Sequence, residues 1–211
     1  MKKIYYWSPC LSKVGTYKST LNSAISFARY SKENFSVKLI NACGEWDEEK
    51  SMLKDNNVEI INFNIKYFKY LPKTGFFKSR LSYLIIFIFS IIPLIKLLTK
   101  DKPEYLVAHL ITSLPLILQN LFNFQSKLIL RISGFPKLNF FRRSLWYSVS
   151  KKVDKITCPT NELKKQLVYN KVFSEDKIFF LADPILNIKD FQKKRKISKT
   201  SQILKHKKNY F

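Results

Sequence analysis

The sequence predicts an α/β protein built on a parallel sheet of about seven strands, with helices on both faces. Two observations predict the layers. Short runs of apolar, β-branched and aromatic residues recur along the chain, and between them apolar residues repeat at steps of three and four, as on amphipathic helices. The third observation is residues 127–167, KLILRISGFPKLNFFRRSLWYSVSKK followed by VDKITCPTNELKKQL, where strand, tight loop and helix occur twice in succession. Strands joined through helices lie parallel, with right-handed crossovers, and such sheets bind ligands beyond the carboxyl ends of their strands.

The first strand is read at Ile4, Tyr5, Tyr6 and Trp7, ending at Ser8 and Pro9. The loop after it carries Gly15. Leu21, Ala24, Ile25 and Ala28 then keep helical spacing. A glycine before a helix N-terminus lets backbone N–H groups approach a phosphate, with Lys18 adding charge; an ordinary turn reads the same way. Residues 35–40 form the second strand. Its following helix opens with Glu45, Asp47, Glu48 and Glu49, and these carboxylates suit the positive end of a helix dipole rather than a metal site.

A third strand is expected over residues 58–65. After it comes an irregular aromatic and basic loop over residues 66–80, suited to stacking on sugars or bases, to a lipid interface, or to covering the neighbouring helix. Residues 81–98, LSYLIIFIFSIIPLIKLL, are the most apolar stretch. Ser82, Ser90, Pro93 and Lys96 interrupt it, so a helix buried on the sheet is expected before a membrane span, and a helix at a membrane surface stays open. The fourth strand, residues 104–110, ends near His109. Ser113, Leu114 and Pro115 start the next helix.

The fifth strand runs from Leu128 to Ser133 and stops at Gly134. Asn139 precedes a helix with Phe141, Leu145 and Val149 on its apolar side. Residues 155–158 are the sixth strand, and Thr160 can cap the helix carrying Leu163, Leu167 and Val168. Residues 177–182 form the last strand, closed by Asp183 and Pro184. From Lys189 the chain turns polar and cationic, giving a domain over 1–188 and a basic linker over 189–211.

Composition bounds the function. A chain of 211 residues, 46% of them hydrophobic, supports one core. The formal charge of +23 fits an anionic partner, whether a phosphorylated ligand, an acidic lipid surface or nucleic acid, or else lysine serves simply as the default surface residue. Cys10, Cys43 and Cys158 have no paired spacing, and His109 and His206 are too few for a typical zinc site, so a reducing, cytoplasmic setting is expected. Residues 1–9 lack the long apolar core of a signal peptide.

In order and spacing, the Gly15 loop, KPEYLVAHL, LRISGFPKLNFFRRSLW, CPTNELKKQL and KIFFLADPI resemble the N-terminal domain of glycosyltransferase family 4 enzymes, over residue 2 to about 190. The resemblance implies the Rossmann-like N-terminal half of a retaining GT-B enzyme. Such an enzyme moves a sugar from a nucleotide diphosphate sugar to an acceptor without a cofactor or metal. It further implies an acceptor-binding half, the donor being held in a C-terminal domain by two glutamates separated by seven residues. No such pair occurs in this sequence, so a truncated or split enzyme, inactive alone, is expected.

Carried over by position, Gly15, Thr16 and Lys18 fall at the family's glycine loop, where this chain has one glycine. Ser133 stands where many members place a histidine beside the transferred sugar. Ser133, Arg131 and His109 are the implied catalytic set; Gly15, Thr16, Lys18, Gly134 and Arg142 the implied donor or acceptor contacts. The implied partners are a nucleotide sugar, a lipid-linked or glycan acceptor, an anionic membrane surface bound peripherally on its cytoplasmic side, and a separate donor domain. Two other classes fit less well. A nicotinamide oxidoreductase needs GxGxxG after the first strand, where the chain reads SPCLSKVGTYKS. A nucleic-acid binder would explain the charge, but no helix-turn-helix, zinc or RNP motif is visible, so no specific nucleic-acid partner is expected.

Overall fold

In the computed structural model, which describes residues 1–13, 15–31, 34–72, 75–136, 138–185 and 195, seven strands form one sheet. They are β1 (Lys2–Trp7), β2 (Phe35–Asn41), β3 (Val58–Asn62), β4 (Tyr105–Ala108), β5 (Lys127–Arg131), β6 (Val153–Cys158) and β7 (Ile178–Phe180). Their order is β3-β2-β1-β4-β5-β6-β7 and every neighbouring pair is parallel. The helices are α1 (Gly15–Tyr30), α2 (Lys50–Asp55), α3 (Phe76–Asp101), α4 (Ser113–Phe122), α5 (Phe140–Val149) and α6 (Asn161–Tyr169). The expected fold class is what the chain adopts.

The strand sequences show why both faces are covered. Ile4, Tyr5, Tyr6 and Trp7 are all buried, a continuous run rather than an alternating one, as a strand enclosed on both sides requires. Alternate residues feed two cores. Ile4 and Tyr6 pack with Val37, Leu39 and the Tyr17, Leu21, Ala24 and Ile25 face of α1. Tyr5 and Trp7 pack with Leu94 of α3, Leu114 of α4, Trp146 of α5 and Leu163 of α6. Right-handed crossovers explain the division: steps toward β3 place α1 and α2 on one face, and steps toward β7 place α3 to α6 on the other.

Chain order changes direction between β1 and its two neighbours β2 and β4. That switch opens a crevice at the carboxyl ends of β1 and β4, where ligands sit in sheets of this kind. The cap read from sequence at Thr160 is present, and Asn139 caps α5 in the same way. Asn139 accepts a hydrogen bond from Arg142 N–H at 2.9 Å, and Thr160 accepts from Leu163 N–H at 3.1 Å.

Boundaries differ from the sequence reading in several places. The loop expected over residues 66–80 is instead a short 3-10 helix, Lys66–Tyr70, followed by the first turn of α3, which begins at Phe76 and continues to Asp101. The helical periodicity had begun at Phe77, four residues before Leu81. Pro93 lies inside α3 and is tolerated because the inner face remains packed, with Leu94 and Leu98 buried beside it. β3 ends at Asn62 and β4 at Ala108, earlier than expected; Asn64 and Ile111 take positive φ of 55° and 48°, which ends strand geometry. The acidic cluster does not open a long helix. Asp47–Glu49 is a 3-10 turn, α2 starts at Lys50, and Glu45 is buried, accepting N–H bonds from Ala42 and Cys43 at 3.2 and 2.7 Å. The expected linker over 189–211 lies outside the described residues, Arg195 apart.

Candidate functional site

His109 follows β4 directly, its backbone N–H donating to the Trp7 carbonyl at 2.9 Å, which extends the sheet ladder by one step and fixes the imidazole over the crevice. The ring is only 6% exposed. Its Nδ1 lies 2.8 Å from Thr20 Oγ of α1, and its Nε2 lies 2.8 Å from Ser133 Oγ in the loop after β5. Thr20 has one hydroxyl proton, and the Thr16 carbonyl at 3.0 Å can only accept it. Ser8 Oγ, at 3.1 Å, is a second group to which Thr20 can donate; with the Thr20 proton on either, His109 carries its own proton on Nδ1 and donates to Thr20. Nε2 is then the acceptor, and Ser133 donates its hydroxyl proton to it.

Burial pushes the His109 pKa down to about 4, and the Arg131 charge acts in the same direction while Asp183 opposes it. The ring is neutral at neutral pH and a weak base. It holds the Ser133 hydroxyl rather than stripping its proton, and the Ser133 oxygen keeps lone pairs toward solvent.

Arg131 ends β5 and is 4% exposed. Its Nε donates to Asp183 Oδ1 at 2.9 Å, Nη2 bonds the same oxygen, and Nη2 reaches the Ala182 carbonyl at 3.3 Å. Asp183 also accepts from Ser19 Oγ at 2.9 Å, and Asn22 Nδ2 donates to the Pro184 carbonyl at 2.7 Å. Residues 181–185 thus run back from the edge strand β7 to β5 and α1, strapped by a buried ion pair. The guanidinium is committed to that strap, so Arg131 acts on the crevice through position and charge.

Beside this network opens a cavity of about 530 Å³. His109, Arg131, Ser133, Gly134 and Arg142 line it, with Ile111, Phe141, Leu145 and Trp146 supplying apolar wall. A Cβ built on Gly134 would meet nothing within 4 Å, so the floor there is open to a ligand. Polar groups converging on one side of an apolar wall suit a polyhydroxylated ligand, whose hydroxyls bond while its C–H faces pack.

Of the residues singled out from sequence, His109, Arg131, Ser133, Gly134 and Arg142 come together at this cavity. Gly15, Thr16 and Lys18 lie on the first turn of α1, at the same carboxyl ends of the strands, but do not line it. Thr16 joins only through its carbonyl. A second cavity of about 540 Å³ lies nearer that turn, between Lys13, Tyr17, Glu45 and Glu48. Sequence reasoning missed Thr20 and Ser19, which lie on the buried face of α1 between its apolar residues, and gave Asp183 only the role of closing a strand. An acidic residue at the end of the last parallel strand was the available signal. Among the described residues no group of three His, Cys, Asp or Glu side chains is placed to hold a metal.

No protein-family model matches the sequence, and no curated protein matches it. Solved structures do. The glycosyltransferase from Rickettsia africae ESF-5 superposes with TM-score 0.59 at 15% identity, over 86% of this chain and 42% of that one. UDP-GlcNAc 2-epimerase from Neisseria meningitidis, bound to UDP-GlcNAc, gives 0.57 at 13%, over 88% of this chain and 47% of that one. The Glycyrrhiza uralensis enzyme complexed with glycyrrhetinic acid 3-O-monoglucuronide gives 0.56 at 9%, over 88% and 49%. The chain spans less than half the length of each, and what it shares with them is the Rossmann-like domain fold.

Proposed function

We propose that this chain is the acceptor-side half of a retaining, metal-independent glycosyltransferase. It would use a nucleotide diphosphate sugar and a lipid-linked or saccharide acceptor in surface polysaccharide or lipopolysaccharide synthesis. The observation that carries the reading is the Thr20–His109–Ser133 chain opening on the cavity between β4, β5 and α5. The fold shared with a glycosyltransferase and with an epimerase bound to UDP-GlcNAc supports it.

On this reading each group has a definite task. With its hydroxyl proton engaged by His109 Nε2 in a hydrogen bond, Ser133 offers the ligand an acceptor only, and so selects a sugar hydroxyl that donates. Arg142 and the N-terminal N–H groups of α5 provide positive charge where an acceptor phosphate, or charge building on the departing diphosphate, would lie. Gly15, Thr16 and Lys18 offer backbone donors and charge toward the diphosphate from α1. The neutral His109 positions Ser133 and is not the base that activates the acceptor.

On this reading the opposite wall of the cleft would come from a donor-binding domain.

Saturation-transfer NMR on the purified chain tests the proposal. Oligosaccharide or lipid-linked saccharide acceptors should receive saturation, and Ser133→Ala should weaken that signal several-fold, while UDP-sugars should bind weakly and remain unhydrolysed. Tight UDP-sugar binding to the chain alone by calorimetry would overturn the acceptor-side assignment.

A further inference from the structure

Helix α3 buries one face and leaves the other bare. Ser82, Ile86, Ser90, Leu94 and Leu98, at steps of four, are buried against the sheet and its neighbours. On the opposite side Phe77, Leu81, Leu84, Ile88 and Ile92 are 81%, 58%, 53%, 52% and 63% exposed. Their steps of four, three, four and four make one continuous stripe. A helix on the surface of a soluble domain normally shows polar residues on that side, and α3 shows large aliphatic and aromatic ones.

By length and composition the segment Phe77–Asp101 could cross a membrane. Here it cannot do so. Its ends continue into β3 and β4 of one sheet, and its inner face belongs to the core. An amphipathic helix fixed to a domain can instead lie in the plane of a membrane.

The borders of the stripe carry charge. Lys78 and Lys96 are exposed, and being about five turns apart they stand on the same edge, with Arg80 on the other. Beside the N-terminal half sits the 3-10 helix Lys66–Tyr70, held by Phe68, which packs with Ile86 and lies edge-on to Phe89 at 6.3 Å. It leaves Tyr67 and Tyr70 82% and 86% exposed. Apolar stripe, flanking cations and exposed tyrosines form the set that an anionic lipid interface accommodates, acyl chains meeting the stripe and phosphates the lysines. A second copy fits poorly, since pairing this face with itself would set cations against cations in a chain of formal charge +23.

We propose that the outward face of α3, with the Lys66–Tyr70 turn, docks this protein in the plane of an anionic bilayer. Because α3 begins at the carboxyl ends of the strands, the docked protein holds its cavity near the headgroups. The docking stands independently of the transferase reading, for it requires neither donor nor acceptor.

Flotation of the full chain with phosphatidylcholine vesicles, with and without phosphatidylglycerol, tests it. The protein should float with the anionic vesicles and far less with the neutral ones. The double variant Leu84→Ser/Ile88→Ser should lower partitioning by about tenfold or more, since it removes the apolar contact and leaves every cation in place. Lys78→Gln/Lys96→Gln should reduce binding and flatten its salt dependence. Unchanged circular dichroism and melting temperature certify that these exposed changes leave the fold intact. Equal recovery of the wild type in the soluble fraction with both vesicles overturns the proposal. So does a serine double variant that floats as well as wild type, which would assign binding to other cations. A concentration-dependent dimer in sedimentation equilibrium that the serine variant abolishes, without vesicle binding, overturns it in favour of a second copy.

Discussion

His109 and Glu45 are both buried, and their titrations oppose each other. Burial takes His109 down to about 4, below its ordinary 6.5, so as pH falls from about 6.5 to 4 the unfolded chain gains a proton that the folded one refuses, and stability is lost. Burial takes Glu45 up to about 7, from an ordinary 4.5, even though backbone N–H groups pull it back. Its contribution is present below 4.5 and lost as pH rises toward 7. Each effect is worth roughly 3 kcal/mol at full extent, and between pH 4.5 and 6.5 they cancel. Urea midpoints of the wild type should therefore change little from these two groups across that window. His109→Asn should leave stability falling with pH from 4.5 to 7, and Glu45→Gln should leave it rising from 4 to 6.5. A wild type and His109→Asn with parallel pH profiles would show that the imidazole is not held neutral. The Arg131–Asp183 pair gives a second prediction at this scale. Asp183→Ala leaves a buried guanidinium unpaired and should cost about 3 kcal/mol by denaturant unfolding.

Among the elements, α3 carries a defect and α6 a cap that can be measured. Ser90 is fully buried in α3, and its hydroxyl has no hydrogen-bond partner among the described residues. Ser90→Ala should be neutral or stabilise by about 1 kcal/mol, since it removes an unsatisfied polar group of similar size. Thr160→Ala removes the bond to Leu163 N–H and should cost about 1 kcal/mol. Some of the lysines have local structural work. Lys152 Nζ donates to the Gln119 and Asn120 carbonyls near the end of α4, and Lys177 Nζ to the Ser150, Lys151 and Val153 carbonyls around the end of α5. Cations at helix C-termini bond orphan carbonyls and complement the dipole. Part of the chain's charge is thus structural, and the stripe-flanking lysines of α3 are a different population.

For the molecule as a whole, the continuous sheet predicts cooperative unfolding. Trp7 and Trp146 belong to the core on the α3 side, and Trp46 to the core on the α1 side. In a variant retaining Trp46 alone, and in one retaining Trp146 alone, the fluorescence midpoint should coincide with the far-UV circular dichroism midpoint of the same variant, because neither layer can be lost without stripping one face from the strands it shares with the other. Fluorescence and circular dichroism midpoints that separate within one variant would mean that the two layers melt independently.

The sequence by itself determined the parallel α/β class, because apolar runs and helical periodicities alternate at spacings that only crossovers satisfy. It also pointed to the loops after β5 and β6, and to His109 at the end of β4, since residues following such strands converge at their carboxyl ends; the cavity is lined by the first and the last, and by no residue after β6. It placed the start of α3 late, where aromatic and basic residues masked a periodicity already under way. Only the tertiary structure decided that Thr20, His109 and Ser133 form one hydrogen-bonded chain, that Arg131 is consumed by Asp183, and which face of α3 stays bare. The side-chain contacts among these join residues 24 to 89 positions apart, and residue spacing carries no information about pairs that meet only once the sheet has closed its order.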